Sequence, residues 1–177
     1  MESAIKSSAL KHGLYLGILM ILVTAILYAV NLDLMTKWWL NIILFAIILT
    51  FGIVSALKSR TLLNGLITFK EAFSSYFITI AIGVILSTLF SILLFNVIDP
   101  EAAEILKEKI TQASIQMMQN FGAPESEINK AVAAMNEQDQ FSAQNQLKSI
   151  AWQLLVYAII GLIVALVVKK KDPNAIN

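Results

Sequence analysis

Four long apolar runs organise the chain: Gly13–Leu32, Trp38–Leu57, Ala72–Ile98 and Ser149–Val168 contain no Asp, Glu, Lys, Arg or His. A helix needs about 20 such residues to cross the roughly 30 Å hydrocarbon layer of a bilayer, and each run reaches that length. None alternates with the period of two that a membrane strand requires. Lipid offers the backbone no hydrogen-bond partners, so each run is predicted to be a transmembrane helix. The expected architecture is all-α: a single polytopic membrane domain over residues 1–177 with four transmembrane helices. Lys6, Lys11 and His12 before the first run resemble the start of a secretory signal. That run exceeds the usual length of about 7–15 residues, however, and Leu27 and Ala29 make a poor cleavage pair, so it reads as an uncleaved anchor.

Between the third and fourth runs, residues 99–148 change pattern. Asp99-Pro100 is a helix start, with Asp as N-cap, Pro at the first helical position and Glu101 in the first turn. Ala102, Leu106, Ile110, Ala113, Met117 and Phe121 then recur at spacings of three and four, forming one apolar stripe opposite Glu104, Lys107, Glu108 and Thr111. Gly122 is a stop signal. Pro124 opens a second helix with Ile128, Ala131, Val132 and Met135 on one face. The pattern predicts an amphipathic helical hairpin joined through Phe121–Pro124. Its stripes have three possible destinations: each other, the membrane surface, or a partner. Glu101, Glu104 and Glu108 lie along one side and read as a solvated face.

Composition narrows the class. Of 177 residues, 58% are apolar and 14% charged, and the mean hydropathy is +0.74, values far from those of a soluble domain. The absence of Cys excludes a disulfide scaffold. A net charge of +1 gives no reason to expect nucleic acid. The bilayer itself is the first partner implied.

Charge placement gives an expected orientation. With the N-terminus in the cytoplasm, that side carries Lys6, Lys11, Lys58, Arg60, Lys70, Lys169, Lys170 and Lys171 against Glu2, Glu71 and Asp172. The other side carries Lys37, Lys107, Lys109, Lys130 and Lys148 against nine acids. Lys and Arg collect on the cytoplasmic side of short loops, so both termini are expected there and residues 99–148 outside. Trp38, Trp39 and Trp152 would anchor outer helix ends.

Candidate chemistry is sparse. No ionisable group lies inside a run, where a transporter or intramembrane enzyme normally keeps one. His12 is the single His, at the inner interface, and no metal-ligand spacing, phosphate loop or nucleophile elbow occurs. No catalytic residue, cofactor or metal is expected. What stands out is a row of small residues, Ser75, Thr79, Gly83, Ser87 and Ser91, every four residues along the third run. Gly13 and Gly17 form a GxxxG pair in the first run, and Gly52, Ala56, Tyr157, Gly161 and Ala165 offer similar grooves. Such rows let another helix backbone approach closely and let hydroxyls bond across the contact. The row serves packing within one chain, an interface with a second copy or another membrane protein, or a polar path.

Between the second and third runs, Gly65 breaks the chain and Thr68 with Glu71 forms a capping box. Phe69 and Phe73 follow on one face. The Gly-x-Ile-x-Phe-x-x-Ala-Phe stretch at Gly65–Phe73, Asp99-Pro100, and the helical segment before a last span together resemble a bacterial four-helix inner-membrane family catalogued as a domain of unknown function (family 4199). The resemblance implies four helices and an inner-membrane location, and carries no activity or catalytic residues with it. It also implies a setting among membrane glycosyltransferases. The functional expectation is a non-enzymatic accessory or structural subunit of an envelope-associated complex. The alternative is a small oligomeric transporter or channel with the Ser75–Ser91 row facing its path.

Overall fold

The computed structural model describes residues 2–137 and 139–170. Lys171 and Asp172, used in the orientation argument, lie outside the described residues, as does the side chain of Glu2. Among the described residues six α-helices follow one another: α1 Glu2–Val30, α2 Trp38–Leu62, α3 Phe69–Leu93, α4 Pro100–Asn120, α5 Glu125–Glu137 and α6 Ala143–Val168. A 3-10 turn at Leu32–Thr36 joins α1 to α2, and a π turn at Leu94–Ile98 ends α3. Among the described residues, four helices are long and apolar enough to cross a membrane: α1, α2, α3 with its π turn, and α6, at mean hydropathies of 2.3, 2.5, 2.5 and 2.5. Only 17–28% of the residues in each apolar window are buried inside the protein. The rest is half-buried or exposed and mostly apolar, which is the surface that hydrocarbon solvates.

Three helices, α1, α2 and α6, run well past the charge-free stretches, because a helix can keep charges on one side and small residues on the other. In α1, Ile5 and Ala9 are buried at 3% and 0% exposure while Lys6 and Lys11 face outward. In α2, Ser59 is fully buried between the outward-facing Lys58 and the half-buried Arg60. Local capping sets the starts. Thr68 and Glu71 form the expected capping box on α3, with Glu71 Oε2 accepting from the Thr68 backbone N–H at 2.9 Å. Asp99 caps α4, and Ser142 caps α6 through its hydroxyl.

α3 is the central helix, packed against α1, α2 and α6. Neighbouring contacts advance together along α1 and α3, from Ala9 beside Thr79 to Gly17 beside Leu86, so these two helices run parallel. At the Ile67 end, Ile67 and Lys170 exchange backbone hydrogen bonds of 3.0 and 2.9 Å, tying the α2–α3 loop to the chain beyond α6. At the opposite end α4 lies on the π turn and the 3-10 turn.

The segment between α3 and α6 departs from the predicted continuous stripe. Ala102, Ala103 and Leu106 are buried against Leu94 and Phe95, with Ile110 packed beside them. Further along, Met117 is 47% and Phe121 85% exposed. In α5 only Ile128 is buried, while Val132 and Met135 are half-covered. The two apolar faces therefore do not close on each other along their length. The hydrophobic surface available for cover is the end of the spanning bundle, and α4 reaches it only through its first half.

Candidate functional site

The small-residue row of α3 lies at the centre of the molecule. Ser75, Thr79 and Gly83 are buried, and Ser87 and Ser91 are half-buried. Ser75 and Thr79 meet Ser55 and Ser59, one helical turn apart on α2, and the four hydroxyls are all fully buried. The Ser75 hydroxyl lies 2.7 Å from that of Ser59 and 3.0 Å from that of Ser55. Thr79 Oγ1 donates within reach of Ser55 Oγ at 2.7 Å and the Ala9 carbonyl of α1 at 3.1 Å. One cluster thus joins α1, α2 and α3. A buried hydroxyl is costly in hydrocarbon unless it is bonded, and each of these four is bonded to another helix.

Beside it stands Tyr76, also fully buried. Its ring is wedged between two glycines. A Cβ on Gly52 of α2 would lie 2.7 Å from ring carbons Cδ2 and Cε2, and one on Gly161 of α6 would lie 2.6 Å from Cε1. Only residues without a side chain admit the ring from both sides. The Tyr76 hydroxyl is buried and finds no hydrogen-bond partner among the described residues.

The other predicted packing residues are occupied inside the same chain. A Cβ at Gly13 would meet Ile82 at 2.8 Å, one at Gly17 would meet Leu86 at 2.7 Å, and one at Gly83 would meet Leu16 at 2.5 Å. Side chains of α1 and α3 thus fill each other's glycine gaps. Ser87 donates to the Val84 carbonyl at 3.0 Å, within its own helix. The GxxxG pair and the first three residues of the α3 row are consequently enclosed within one chain.

A second polar site sits at the π-turn end of the bundle, opposite Ile67. The Tyr28 hydroxyl donates to Asp99 Oδ2 at 2.7 Å, while Asp99 Oδ1 accepts from the Ala102 backbone N–H at 3.0 Å. These bonds, that of Tyr28 first, hold the Asp99 carboxyl below the usual carboxylate range because each favours the ionised form. Lys109 pairs with Asp33, fastening α4 to the 3-10 turn. Phe141 completes the cap: its ring lies 5.2 Å from that of Phe95, and its backbone carbonyl accepts from Asn96 at 2.8 Å.

Sequence reasoning did not connect Ser55 or Tyr76 to the row, and it missed Ser59. The available signal was the Ser55–Ser59 spacing of one turn, matching Ser75–Thr79 on α3. Chemically the hydroxyl cluster is a cross-brace. A serine or threonine nucleophile needs an adjacent base, and the partners of these hydroxyls are other hydroxyls and backbone carbonyls. Among the described residues no group of three His, Asp or Glu side chains is placed to hold a metal.

These features define a class: a multi-pass helical membrane protein braced by buried hydroxyls and glycine-lined contacts. The chain belongs to the family described as "Protein of unknown function (DUF4199)", whose profile matches residues 11–170. No curated protein and no solved structure matches the chain.

Proposed function

We propose that the protein is a non-enzymatic accessory or structural subunit of an envelope-associated complex in the bacterial inner membrane. In this reading both termini are cytoplasmic, and α4 and α5 form an extracytoplasmic amphipathic hairpin that docks a membrane-protein partner. One observation carries it: the α4 stripe is buried at Leu106, 3% exposed, and open at Phe121, 85% exposed. Apolar surface left in water forgoes roughly 25 cal/mol per Å², and an aromatic at a helix–helix turn is a natural anchor for a partner pocket. The self-contained hydroxyl cluster supports the same reading, since its polar groups are spent on bracing the bundle. The excess of Lys and Arg at the Lys58–Lys70 end supports the orientation.

The test is photocrosslinking in intact cells, with the probe placed at position 121 and, as a control, at exposed position 126. The expected result is one membrane-protein adduct from position 121, lost on Met117→Ser with the bundle still folded. Adducts to lipid alone, or a lone protomer in mild detergent, would overturn the reading. Single thiols introduced at 121 and at 58 and labelled in intact cells test the orientation.

A further inference from the structure

A groove of 410 Å³ opens at the Ile67 end of the bundle, lined by Leu57, Arg60, Thr61, Asn64 and Gly65. We propose that it holds the phosphate group of an anionic phospholipid, gripped by the Arg60 guanidinium and the Asn64 amide.

The groove is built by the way α2 ends. Asn64 and Gly65 both take left-handed backbone conformations, with φ of 55° and 85°. Non-glycine residues visit this region sparingly, and Asn is among those that tolerate it best. The resulting turn brings the Gly65 carbonyl back over the last helical turn, where it accepts from Arg60 Nε at 3.2 Å. That bond fixes the plane of the guanidinium while its terminal amino groups make no hydrogen bond to any described residue. A planar fork held from one edge, with donors free on another, matches the geometry of phosphate oxygens. The Asn64 side chain is exposed in the same groove, and its amide has no partner among the described residues.

The surroundings suit a lipid. Leu57 and Leu62 are 43% and 48% exposed beside the groove, and Phe69 is 37% exposed at the start of α3. These are apolar surfaces at the depth where the spanning segment meets its loop, so glycerol and acyl chains would continue along them while the headgroup meets Arg60. Lys58, Lys70, Lys169 and Lys170 are exposed at the same end. The acid there with a described side chain, Glu71, has its carboxylate committed to Thr68 at 2.9 and 2.7 Å. A helix C-terminus normally repels an anion. Here the Ser59, Arg60 and Thr61 carbonyls already accept from the backbone N–H groups of Leu63, Asn64 and Gly65. Lys and Arg side chains next to the end of a spanning helix attract anionic headgroups. The proposal holds whichever leaflet this end occupies and does not depend on the accessory-subunit reading.

The whole protein in dodecylmaltoside is titrated with phosphatidylglycerol, with phosphatidylcholine of the same chains, and with inorganic phosphate, following bound adducts by native mass spectrometry. Phosphatidylglycerol is expected to bind at least about fivefold more tightly than phosphatidylcholine, because the choline cation offsets the phosphate charge and is repelled by Arg60 and the exposed lysines of this end. Arg60→Gln should weaken phosphatidylglycerol about tenfold, and Lys58→Gln, outside the groove, less than about twofold. Asn64→Gly removes the amide while keeping the left-handed backbone, and should weaken binding about threefold with the melting temperature unchanged. If Arg60→Gln fails to fold, Asn64→Gly carries the test. Equal affinity for the two lipids would overturn the proposal, as would equal loss in Arg60→Gln and Lys58→Gln. Saturation by millimolar inorganic phosphate that displaces the lipid would assign the groove to the free ion and overturn the lipid assignment.

Discussion

The Tyr28 hydroxyl donates to the Asp99 carboxylate at 2.7 Å across 71 residues of chain, joining the C-terminal end of α1 to the residue that caps α4. A single carboxylate thereby starts one helix and fastens it to another. Its lowered pKa fixes the sign of the pH effect: the ionised form is favoured in the folded state, so its contribution is present at neutral pH. That contribution is lost as pH falls through the depressed folded value. Thermal unfolding between about pH 7 and pH 3, read by Trp fluorescence, should show a falling melting temperature below about pH 4. Tyr28→Phe should lower the neutral-pH value by a few degrees and flatten that decline. An unchanged decline in Tyr28→Phe would assign the acid sensitivity elsewhere.

Gly83 and Leu16 form a packed pair between α3 and α1. Gly83→Ala places a methyl group 2.5 Å from Leu16 Cδ2, and overpacking of this kind costs about 1–3 kcal/mol. The double variant with Leu16→Ala should recover part of that loss, because the new methyl then enters vacated space. Denaturation in SDS–detergent mixtures measures both, and additive losses would mean that the two residues do not share the contact.

The hydroxyl cluster should behave as a coupled unit. Ser75→Ala and Ser59→Ala each remove one side of a 2.7 Å bond, so a double-mutant cycle should return a coupling of roughly 0.6 kcal/mol, the magnitude found for such bonds between membrane helices. Zero coupling would show that the two hydroxyls do not bond to each other.

Tyr76 combines a ring that fits with a hydroxyl that is unpaired. Tyr76→Phe keeps the wedge between Gly52 and Gly161 and removes an unsatisfied group, whose burial costs about 1–3 kcal/mol. This variant should be at least as stable as the parent. Tyr76→Ala empties the site and should cost about 3–5 kcal/mol. Destabilisation of Tyr76→Phe beyond about 1 kcal/mol would show that the hydroxyl is bonded after all.

Local signals were read reliably. Thr68 with Glu71 and Asp99 with Pro100 make their bonds within one turn, so the residues that form each cap are already neighbours in the chain. Ser59 escaped notice because Lys58 and Arg60 end the charge-free run on either side of it. On a helix those neighbours point elsewhere, and Ser59 turns to Ser75. The stripe through Met117 and Phe121 was legible as a pattern, but a periodic face carries no record of how far its cover extends.

Hydropathy and short-range capping thus determine the spanning helices and the starts of α2 and α3, since transfer into hydrocarbon and bonds within a turn depend only on neighbouring residues. Tertiary structure alone decides that the α3 row meets Ser55, Ser59 and Ala9, that Tyr76 sits between Gly52 and Gly161, and that Asp99 receives Tyr28. Each of these joins residues far apart in the chain. Their partners follow from how the helices lie against one another, and apolar faces of similar composition do not encode that choice locally.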